Sequence, residues 1–489
     1  MGWLMRITGK KSGAARETRR PQILVTNTLS GNKEVFTSLK PGVALMYTCG
    51  PTVYGPAQIG NLRAYVFSDT LARTLAAANF RVHRVINITD FGHLASDGDE
   101  GEDKMTKGLK REGMEITMEN MRTLAERYAN IFTEDLEELN IDTKDIRFPR
   151  ASDYVSEQIA LINTLEQKSY AYRTKGGVYY DTSRFPNYGK LGGINLDAQQ
   201  ASGRAIKDSA KRNPSDFVLW KPDATLGWES PWGRGFPGWH IECSAMVRSL
   251  LGQEIDIHTG GEDHIAVHHN NEIAQSEAAS GRTFVHYWLH NAFLNVGGEK
   301  ISKSLGNGFM LIDVIEKGFH PLALRYFFLQ AHYRTPLSFS WEALAAAASA
   351  LERLWRHASE VREESGGGKS APSEARDRFL ALMRDDLGTP QALGVLWETL
   401  KSEEYAPEEK WGLLEDAEAH LGLSLLDPPT PKSLAPADVS QDIRELLTKR
   451  EVARRMKDFP EADRLREEMK NRGYHVEDGP KGPVLTREA

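Results

Sequence analysis

Cysteine is scarce in this sequence, since 489 residues contain two, Cys49 and Cys243. A secreted chain of this length would usually carry several disulfides, so we expect a reducing, cytoplasmic environment. No apolar run approaches the roughly 20 residues that span a bilayer, and we expect no membrane segment. The basic residues 1–21 lack the apolar stretch of a secretory signal and predict a solvated extension. A net charge of −7 does not indicate nucleic-acid binding, although acidic proteins can bind RNA through one basic face.

The first regular pattern is a strand, a turn, a helix and a second strand. The apolar run 43–48 predicts a buried strand, helical spacing of apolar residues begins at Ile59, and residues 81–88 predict the next strand. Such a βαβ unit predicts an α/β fold with a Rossmann-type, doubly wound parallel sheet. Apolar segments at 254–258 and 287–296 predict that the sheet resumes later in the chain.

Composition changes divide the remaining chain. The stretch 177–221 is polar and loop-rich, the pattern becomes helical after Pro321, and a Pro-rich linker at 426–436 precedes a last charged unit. We therefore expect a basic extension at 1–21, the first half of the sheet domain at 22–125, an inserted region at 126–235, the second half of the sheet domain at 236–320, a helical bundle at 321–425 and a small C-terminal domain at 437–489.

Four residues have the chemistry of zinc ligands. His268 and Glu272 are four residues apart, which places both on one face of a helix, and the Cys49 and Cys243 thiols would complete a tetrahedral set. His and Glu at this spacing are also common by chance. The alternative is a helix that exposes His268 and Glu272 to solvent while both cysteines are inert core residues.

Two further segments could bind phosphate. Gln58, Gly60 and Asn61 lie where a strand passes into a helix, and the free N–H groups of a helix N-terminus attract anions. The segment 300–304 (Lys-Ile-Ser-Lys-Ser) forms a cationic loop that could neutralise charge on a reacting phosphate. The alternatives are an ordinary βα turn and a solvated loop.

Together these segments resemble the two signature motifs of class I aminoacyl-tRNA synthetases, usually written HIGH and KMSKS. The surrounding sequence resembles the cysteinyl-tRNA synthetase family in particular, from about residue 22 to the C-terminus. The resemblance is carried by 47–54 (Tyr-Thr-Cys-Gly-Pro-Thr-Val-Tyr), 87–90 (Asn-Ile-Thr-Asp), 238–246 (Gly-Trp-His-Ile-Glu-Cys-Ser-Ala-Met) and 268–277 (His-His-Asn-Asn-Glu-Ile-Ala-Gln-Ser-Glu).

The resemblance implies a cysteine–tRNA ligase that uses cysteine, ATP with magnesium, tRNA(Cys) and one zinc ion, and we expect a monomer. It also implies roles for individual residues. The implied zinc ligands are Cys49, Cys243, His268 and Glu272. The implied catalytic residues are Gln58, Asn61, Lys300 and Lys303. The implied nucleotide-binding residues are Gly60, Asp263, Ser302 and Ser304. The implied amino-acid pocket contains Thr89, Trp239, His240, His258 and His269, each of which could also be an ordinary hydrogen-bonded residue.

The sequence departs from the family pattern at Gln58, where relatives usually have histidine. A glutamine amide can also donate an N–H, but it is neutral and its geometry differs. This change therefore affects the expected rate more than the expected function.

The C-terminal segment 449–480 resembles the anticodon-reading tail of the same family. By position, Arg454, Asp463 and Asp478 are candidates for base contacts, because unpaired anticodon bases expose their edges. The alternative is an exposed helical hairpin with surface charges. Leu485 stands where the family tends to have tryptophan.

Two other functions are compatible with parts of this sequence. A related ligase makes the same cysteinyl adenylate and passes it to an amino sugar, but such an enzyme needs no anticodon-binding tail. The other is a catalytically weak, synthetase-derived RNA-binding or regulatory protein, which Gln58 suggests. The complete zinc set and both lysines of the segment 300–304 argue against it. Cysteine-dependent ATP–pyrophosphate exchange and tRNA charging distinguish all three.

Overall fold

The computed structural model describes residues 20–91, 104–193, 211–296, 299–300, 308–429, 440–456, 458–479 and 482–487. The predicted extension at 1–21 lies almost wholly outside these residues, as do Ser302, Lys303 and Ser304. Lys300 ends a short strand, and only its backbone is described.

Helices fill much of the described chain. They are α1 (Ile59–Ala77), α2 (Lys104–Arg111), α3 (Met118–Glu138), α4 (Val155–Gln167), α5 (Trp239–Leu250), α6 (His268–Ser280), α7 (Leu311–Glu316), α8 (Pro321–Leu329), α9 (Trp341–Glu364), α10 (Glu374–Arg384), α11 (Thr389–Lys401), α12 (Pro407–Leu421), α13 (Gln441–Arg455) and α14 (Phe459–Lys470). Among these helices, none is both long and apolar enough to cross a membrane.

Strands supply the framework between them. They are β1 (Leu24–Asn27), β2 (Asn32–Val35), β3 (Val43–Thr48), β4 (Arg81–Ile86), β5 (Ile146–Arg147), β6 (Ala171–Thr174), β7 (Gly177–Tyr180), β8 (Phe217–Pro222), β9 (Gly235–Pro237), β10 (Ile255–Gly261), β11 (Val285–Asn291), β12 (Leu294–Val296), β13 (Glu299–Lys300), β14 (Leu337–Phe339), β15 (Tyr474–Gly479) and β16 (Gly482–Arg487).

The central sheet is parallel throughout, with the order β11-β10-β3-β4-β5. The chain proceeds outward from β3 to β4 and β5 on one side, and from β10 to β11 on the other. The order therefore reverses between β3 and β10, which makes this boundary the topological switch point of a doubly wound sheet. The predicted α/β fold is confirmed, including the strand at 43–48 and the helix that begins at Ile59.

The prediction that 177–221 is loop-rich is wrong at both ends of that segment. Strands β7 and β8 pair there within a four-stranded antiparallel sheet of order β6-β7-β8-β9. The reason is burial, since the short apolar runs at 178–180 and 217–220 are covered on both faces. The C-terminal unit likewise adds a hairpin, β15–β16, to the expected helices. The domain boundaries stay predictions.

One buried charge cluster joins the sheet to the helical region. Arg325 of α8 is fully buried, and its Nη2 donates to Asp69 Oδ2 of α1 at 2.6 Å. The same guanidinium donates to the carbonyl oxygens of Leu139 at 2.8 Å and Leu421 at 2.6 Å, at the ends of α3 and α12. Because one side chain satisfies groups from three other helices, it fixes how these helices meet.

We predict that Arg325→Met lowers the free energy of unfolding by about 3 kcal/mol, because it leaves buried carbonyls unpaired and removes a charge partner of Asp69. The matched control is Arg378→Met, which removes the exposed ion pair of Arg378 with Glu398 and should cost no more than about 1 kcal/mol. Calorimetric unfolding of both variants checks this. Equal losses would contradict a joining role for Arg325.

Candidate active site

A cleft opens at the switch point, where β3 and β10 end and α1 begins. Its cavity volume is about 320 Å³. Sequence segments far apart in the chain meet here, because the carboxyl ends of neighbouring parallel strands lie at the same edge of the sheet. Eight of the predicted site residues line the cleft: Cys49, Gln58, Gly60, Asn61, Trp239, Cys243, Asp263 and His268.

A larger cavity of about 1110 Å³ lies over β4 and β5. Its described lining contains none of the predicted site residues and no cysteine. The smaller cleft is therefore the candidate active site, since it combines thiols, imidazoles and a helix N-terminus at the switch point.

The four predicted zinc ligands form one cluster. The Sγ atoms of Cys49 and Cys243, a ring nitrogen of His268 and a carboxylate oxygen of Glu272 all lie within 4.8 Å of one another. They come from three elements, since Cys49 follows β3, Cys243 lies in α5, and the other two lie in the first turns of α6. All four residues are buried. The alternative of a solvent-exposed His268 and Glu272 is therefore wrong.

Glu272 is the centre of this cluster. Its Oε1 lies 3.0 Å from His268 Nε2, and its Oε2 lies 3.0 Å from His258 Nε2. Cys49 Sγ lies 3.2 Å from His269 Nε2. As a result, Cys49, His258, His269 and Glu272 form a second, overlapping set of possible metal ligands, also within 4.8 Å.

The protonation of the cluster suits a cation. Hydrogen bonding from Cys49 lowers the pKa of Cys243 to about 6, against the opposing effect of burial. Burial raises the pKa of Glu272, but His258 and His268 outweigh it and lower the pKa to about 2. Burial also opposes charge on His268, yet Glu272 and Cys243 raise its pKa to about 10. These shifts favour the charged forms of Cys243 and Glu272, and a thiolate and a carboxylate are both ligands for a divalent metal.

The other predicted pocket residues surround the cluster, and Trp239 also lines the cleft. The ring of Trp239 packs on His268 with centroids 4.3 Å apart, and His240 Nδ1 lies 2.9 Å from His268 Nδ1. The Thr89 hydroxyl donates to Glu242 Oε2 at 2.8 Å. Thr89, His240, His258 and His269 are buried and are not among the described lining residues of the cleft. Their contact with a substrate stays a prediction.

The N-terminus of α1 also borders the cleft, and Gln58 makes two contacts there. The Gln58 backbone N–H donates to Asn61 Oδ1 at 3.2 Å. The Gln58 side chain packs so closely on Gly308 that a β-carbon at position 308 would collide with its amide nitrogen. Gly308 lies four residues after the predicted cationic loop at 300–304, so Gln58 contacts the chain beyond that loop.

Tyr54, Lys104 and His264 are among the cleft residues to which the sequence assigned no role. Glu242, which lies behind the cleft, was missed as well. Glu242 is fully buried, and burial raises its pKa well above the usual range.

Known proteins resemble this chain over most of its length. The family described as "tRNA synthetases class I (C) catalytic domain" matches residues 35–349, and "Cysteinyl-tRNA ligase anticodon binding domain" matches residues 437–483. "Cysteine--tRNA ligase 1" of Burkholderia lata is 45% identical over 465 residues, covering 94% of this chain and 96% of the relative. "Cysteine--tRNA ligase" of Treponema denticola is 42% identical over 482 residues, covering 92% and 97%.

Among solved structures, Mycobacterium tuberculosis methionyl-tRNA synthetase in complex with methionyl-adenylate is similar, with a TM-score of 0.52 and 17% identity. The match covers 80% of this chain and 92% of that one. At this identity the likeness supports the fold alone.

The position of Gln58 leads to a prediction about adenylate formation, the first reaction that the resemblance implies. If its amide donates to phosphate, Gln58→Ala slows ATP–pyrophosphate exchange by roughly tenfold or more, because a stabilising donor is lost. Cysteine affinity stays nearly unchanged, since Gln58 is not a member of the thiol cluster. Gln58→His keeps or raises the rate. An alanine variant as fast as the parent would show that Gln58 is only a turn residue.

Proposed function

The chain belongs to the class I cysteinyl-tRNA synthetase family and is a cysteine–tRNA ligase, and we propose that it selects cysteine through one zinc ion held in the buried cluster. The single observation that carries this proposal is the convergence of two thiols, an imidazole and a carboxylate within 4.8 Å at the base of the cleft. Cys49, Cys243, His268 and Glu272 would hold the ion.

Selection at this site must separate cysteine from serine, which differ by one atom. A shaped apolar pocket discriminates such pairs only modestly. Bound zinc supplies a strong preference for a thiolate over a hydroxyl, which stays protonated and is a poor ligand. The protein's part is orientation: Glu272 is fixed by His258, and His268 is fixed by His240 and by the ring of Trp239.

We propose that the other predicted cleft residues, together with the segment 300–304, bind ATP with magnesium. The N-terminus of α1, with Gln58, Gly60 and Asn61, would face the phosphates, because the positive end of a helix attracts anions. Asp263, which follows β10 and lines the cleft, would bind the ribose. Lys300 and Lys303, with Ser302 and Ser304, would stabilise charge as pyrophosphate departs, after which cysteine passes to the terminal adenosine of tRNA(Cys).

The zinc proposal predicts that Cys243→Ser weakens zinc retention and cysteine binding together, because a hydroxyl is a poor zinc ligand. The control is Ser244→Ala on the same helix, which removes a buried hydroxyl that has no hydrogen-bond partner among the described residues. Zinc content after dialysis and calorimetric titration with cysteine check both variants. Active parent enzyme without zinc would contradict the proposal.

The C-terminal unit has its own small core and a distinctive charge pair. Asp478 accepts two hydrogen bonds from the buried Arg450, each 2.9 Å long, and lies 2.9 Å from Arg454. Leu485 pairs with Val476 across the hairpin inside this core, so the absence of tryptophan there fits the packing. Arg454 and Asp478 are about 40% exposed (39% and 41%), which leaves their outer edges accessible.

We propose that this unit binds the anticodon through Arg454, Asp463 and Asp478 together with an exposed apolar patch. The patch consists of Val452, Met456 and Phe459, whose exposed fractions are 51%, 76% and 56%. An exposed aromatic ring beside charged groups suits unpaired bases, which stack on rings and form hydrogen bonds with their free edges.

We predict that Phe459→Ala raises the KM for tRNA by roughly tenfold, because stacking on one base contributes about 1–3 kcal/mol. ATP–pyrophosphate exchange stays unchanged, since the cleft is built from other elements. Val35→Ala, which removes an exposed apolar side chain from β2, is the control for a general surface effect. A Phe459→Ala enzyme that charges tRNA normally would exclude the patch from anticodon binding.

A further inference from the structure

The larger cavity, of about 1110 Å³, lies where the central sheet has a free edge. Strand β3 pairs with β4 from Arg81 to Ile86, whereas the described part of β5 pairs with Arg84 and Val85 alone. Residues 81–83 therefore have no partner on the β5 side among the described strands, and the cavity opens beside them. The wall of this edge cavity includes Arg73, Arg81, His83, Arg84, Lys144 and Arg147.

The edge cavity is separate from the cleft. Helix α1 extends from one to the other, since Asn61 lines the cleft and Arg73 lines the edge cavity. At the rise of an α-helix, these two residues are roughly 18 Å apart along the axis. The two spaces share none of their described lining residues. A ligand in the edge cavity would therefore not overlap a substrate in the cleft.

Positive charge is concentrated on one face of the sheet at this edge. Side chains alternate along a strand, so Arg81 and His83 share a face of β4, and Arg147 joins them because it pairs with Val85. Burial, and then the charges of Arg81, Arg147 and Lys40, lower the pKa of His83. Every charged group of the described chain that shifts this pKa is thus a cation. An anion bound here would relieve their mutual repulsion.

The opposite face of the same edge also has more positive than negative charge. Asp69 Oδ1 accepts a hydrogen bond from Arg84 at 3.0 Å, and its Oδ2 accepts from Arg73 at 2.7 Å and from Arg325 at 2.6 Å. Burial raises the pKa of Asp69, but the three guanidinium groups outweigh it and hold the pKa well below its usual range. One carboxylate therefore faces three cations, and two of these, Arg73 and Arg84, line the edge cavity.

The other features of the cavity favour a small ligand. Glu137, Asp142 and Asp145 are exposed lining residues at the end of α3 and in the loop that follows it. They would repel a long polyanion, such as an RNA backbone, that crosses the rim. An added peptide strand is disfavoured because the free edge at 81–83 is shorter than the usual strand of about five or six residues. A small anion meets neither obstacle.

We propose that the edge cavity binds the phosphate group of a small molecule. A phosphate monoester carries about two negative charges at pH 7 and offers several acceptor oxygens, which suits neighbouring guanidinium groups. Arg81 and Arg147 would donate to these oxygens. The cavity is larger than a phosphate ion, so a phosphomonoester fits as well as the free ion. This site goes beyond the proposed ligase function and does not depend on it.

Titration calorimetry of the full-length protein with inorganic phosphate and with ribose 5-phosphate tests this proposal. Low ionic strength is used, because salt screens exposed charges. The double variant Arg81→Met/Arg147→Met should weaken binding by roughly tenfold or more, as expected when charge-assisted hydrogen bonds are lost. Both side chains are exposed, so the fold should be kept. Tighter binding of ribose 5-phosphate would identify a phosphomonoester as the ligand, and otherwise the ligand is the free ion.

Two further variants are matched controls. Arg127→Met removes an exposed arginine of α3 that is not among the described lining residues, and its affinity should equal that of the parent. Asp145→Asn removes a negative charge from the rim and should strengthen binding. The proposal is overturned if the parent binds neither probe, or if the double variant binds both as tightly as the parent. Loss of tRNA affinity alone in the double variant would assign this surface to an RNA backbone and overturn it as well.

Discussion

The reversal of strand order between β3 and β10 is the constraint on which the candidate site depends. At such a boundary the connecting segments leave in opposite directions, and a crevice opens at the carboxyl ends of the strands. Cys49 is the first residue after β3, and Asp263 follows β10 by two positions. Both reach the cleft for this reason alone. The N-terminus of α1 completes the crevice, because this helix crosses from β3 to β4.

The polar residues behind the crevice form a network that is almost entirely buried. Burying charge is costly unless each group has a partner, and Glu272 meets this demand by bonding to one histidine with each oxygen. His269 extends the network, since its Nδ1 lies 2.7 Å from His290 Nε2, and His290 Nδ1 lies 2.8 Å from the Thr28 hydroxyl. These outer contacts orient the inner rings, so Thr28, which directly follows β1, and His290 of β11 help to hold the geometry of the cluster.

Much of this arrangement could be predicted from the sequence, and what could not be predicted has a physical reason. The strand at 43–48 and the helix from Ile59 were predicted because their apolar periodicity is strong and local. Strands β7 and β8 were missed because they are short and lie in a polar stretch, so tertiary burial decides their conformation. Lys104 was missed because its approach to Tyr54 and Trp239 depends on how α2 packs, and no spacing rule reports that contact.

The contact between Gln58 and Gly308 bears on how the two signature segments act together. Gln58 caps α1, and its backbone bridges to Met310. Its side chain packs on Gly308, four residues after the predicted cationic loop at 300–304. The helix N-terminus and the segment 308–310 therefore contact each other directly. A histidine at position 58 would bring a rigid ring in place of a flexible amide. Replacing Gln58 would therefore change its packing against Gly308, as well as the atom available to donate a hydrogen bond.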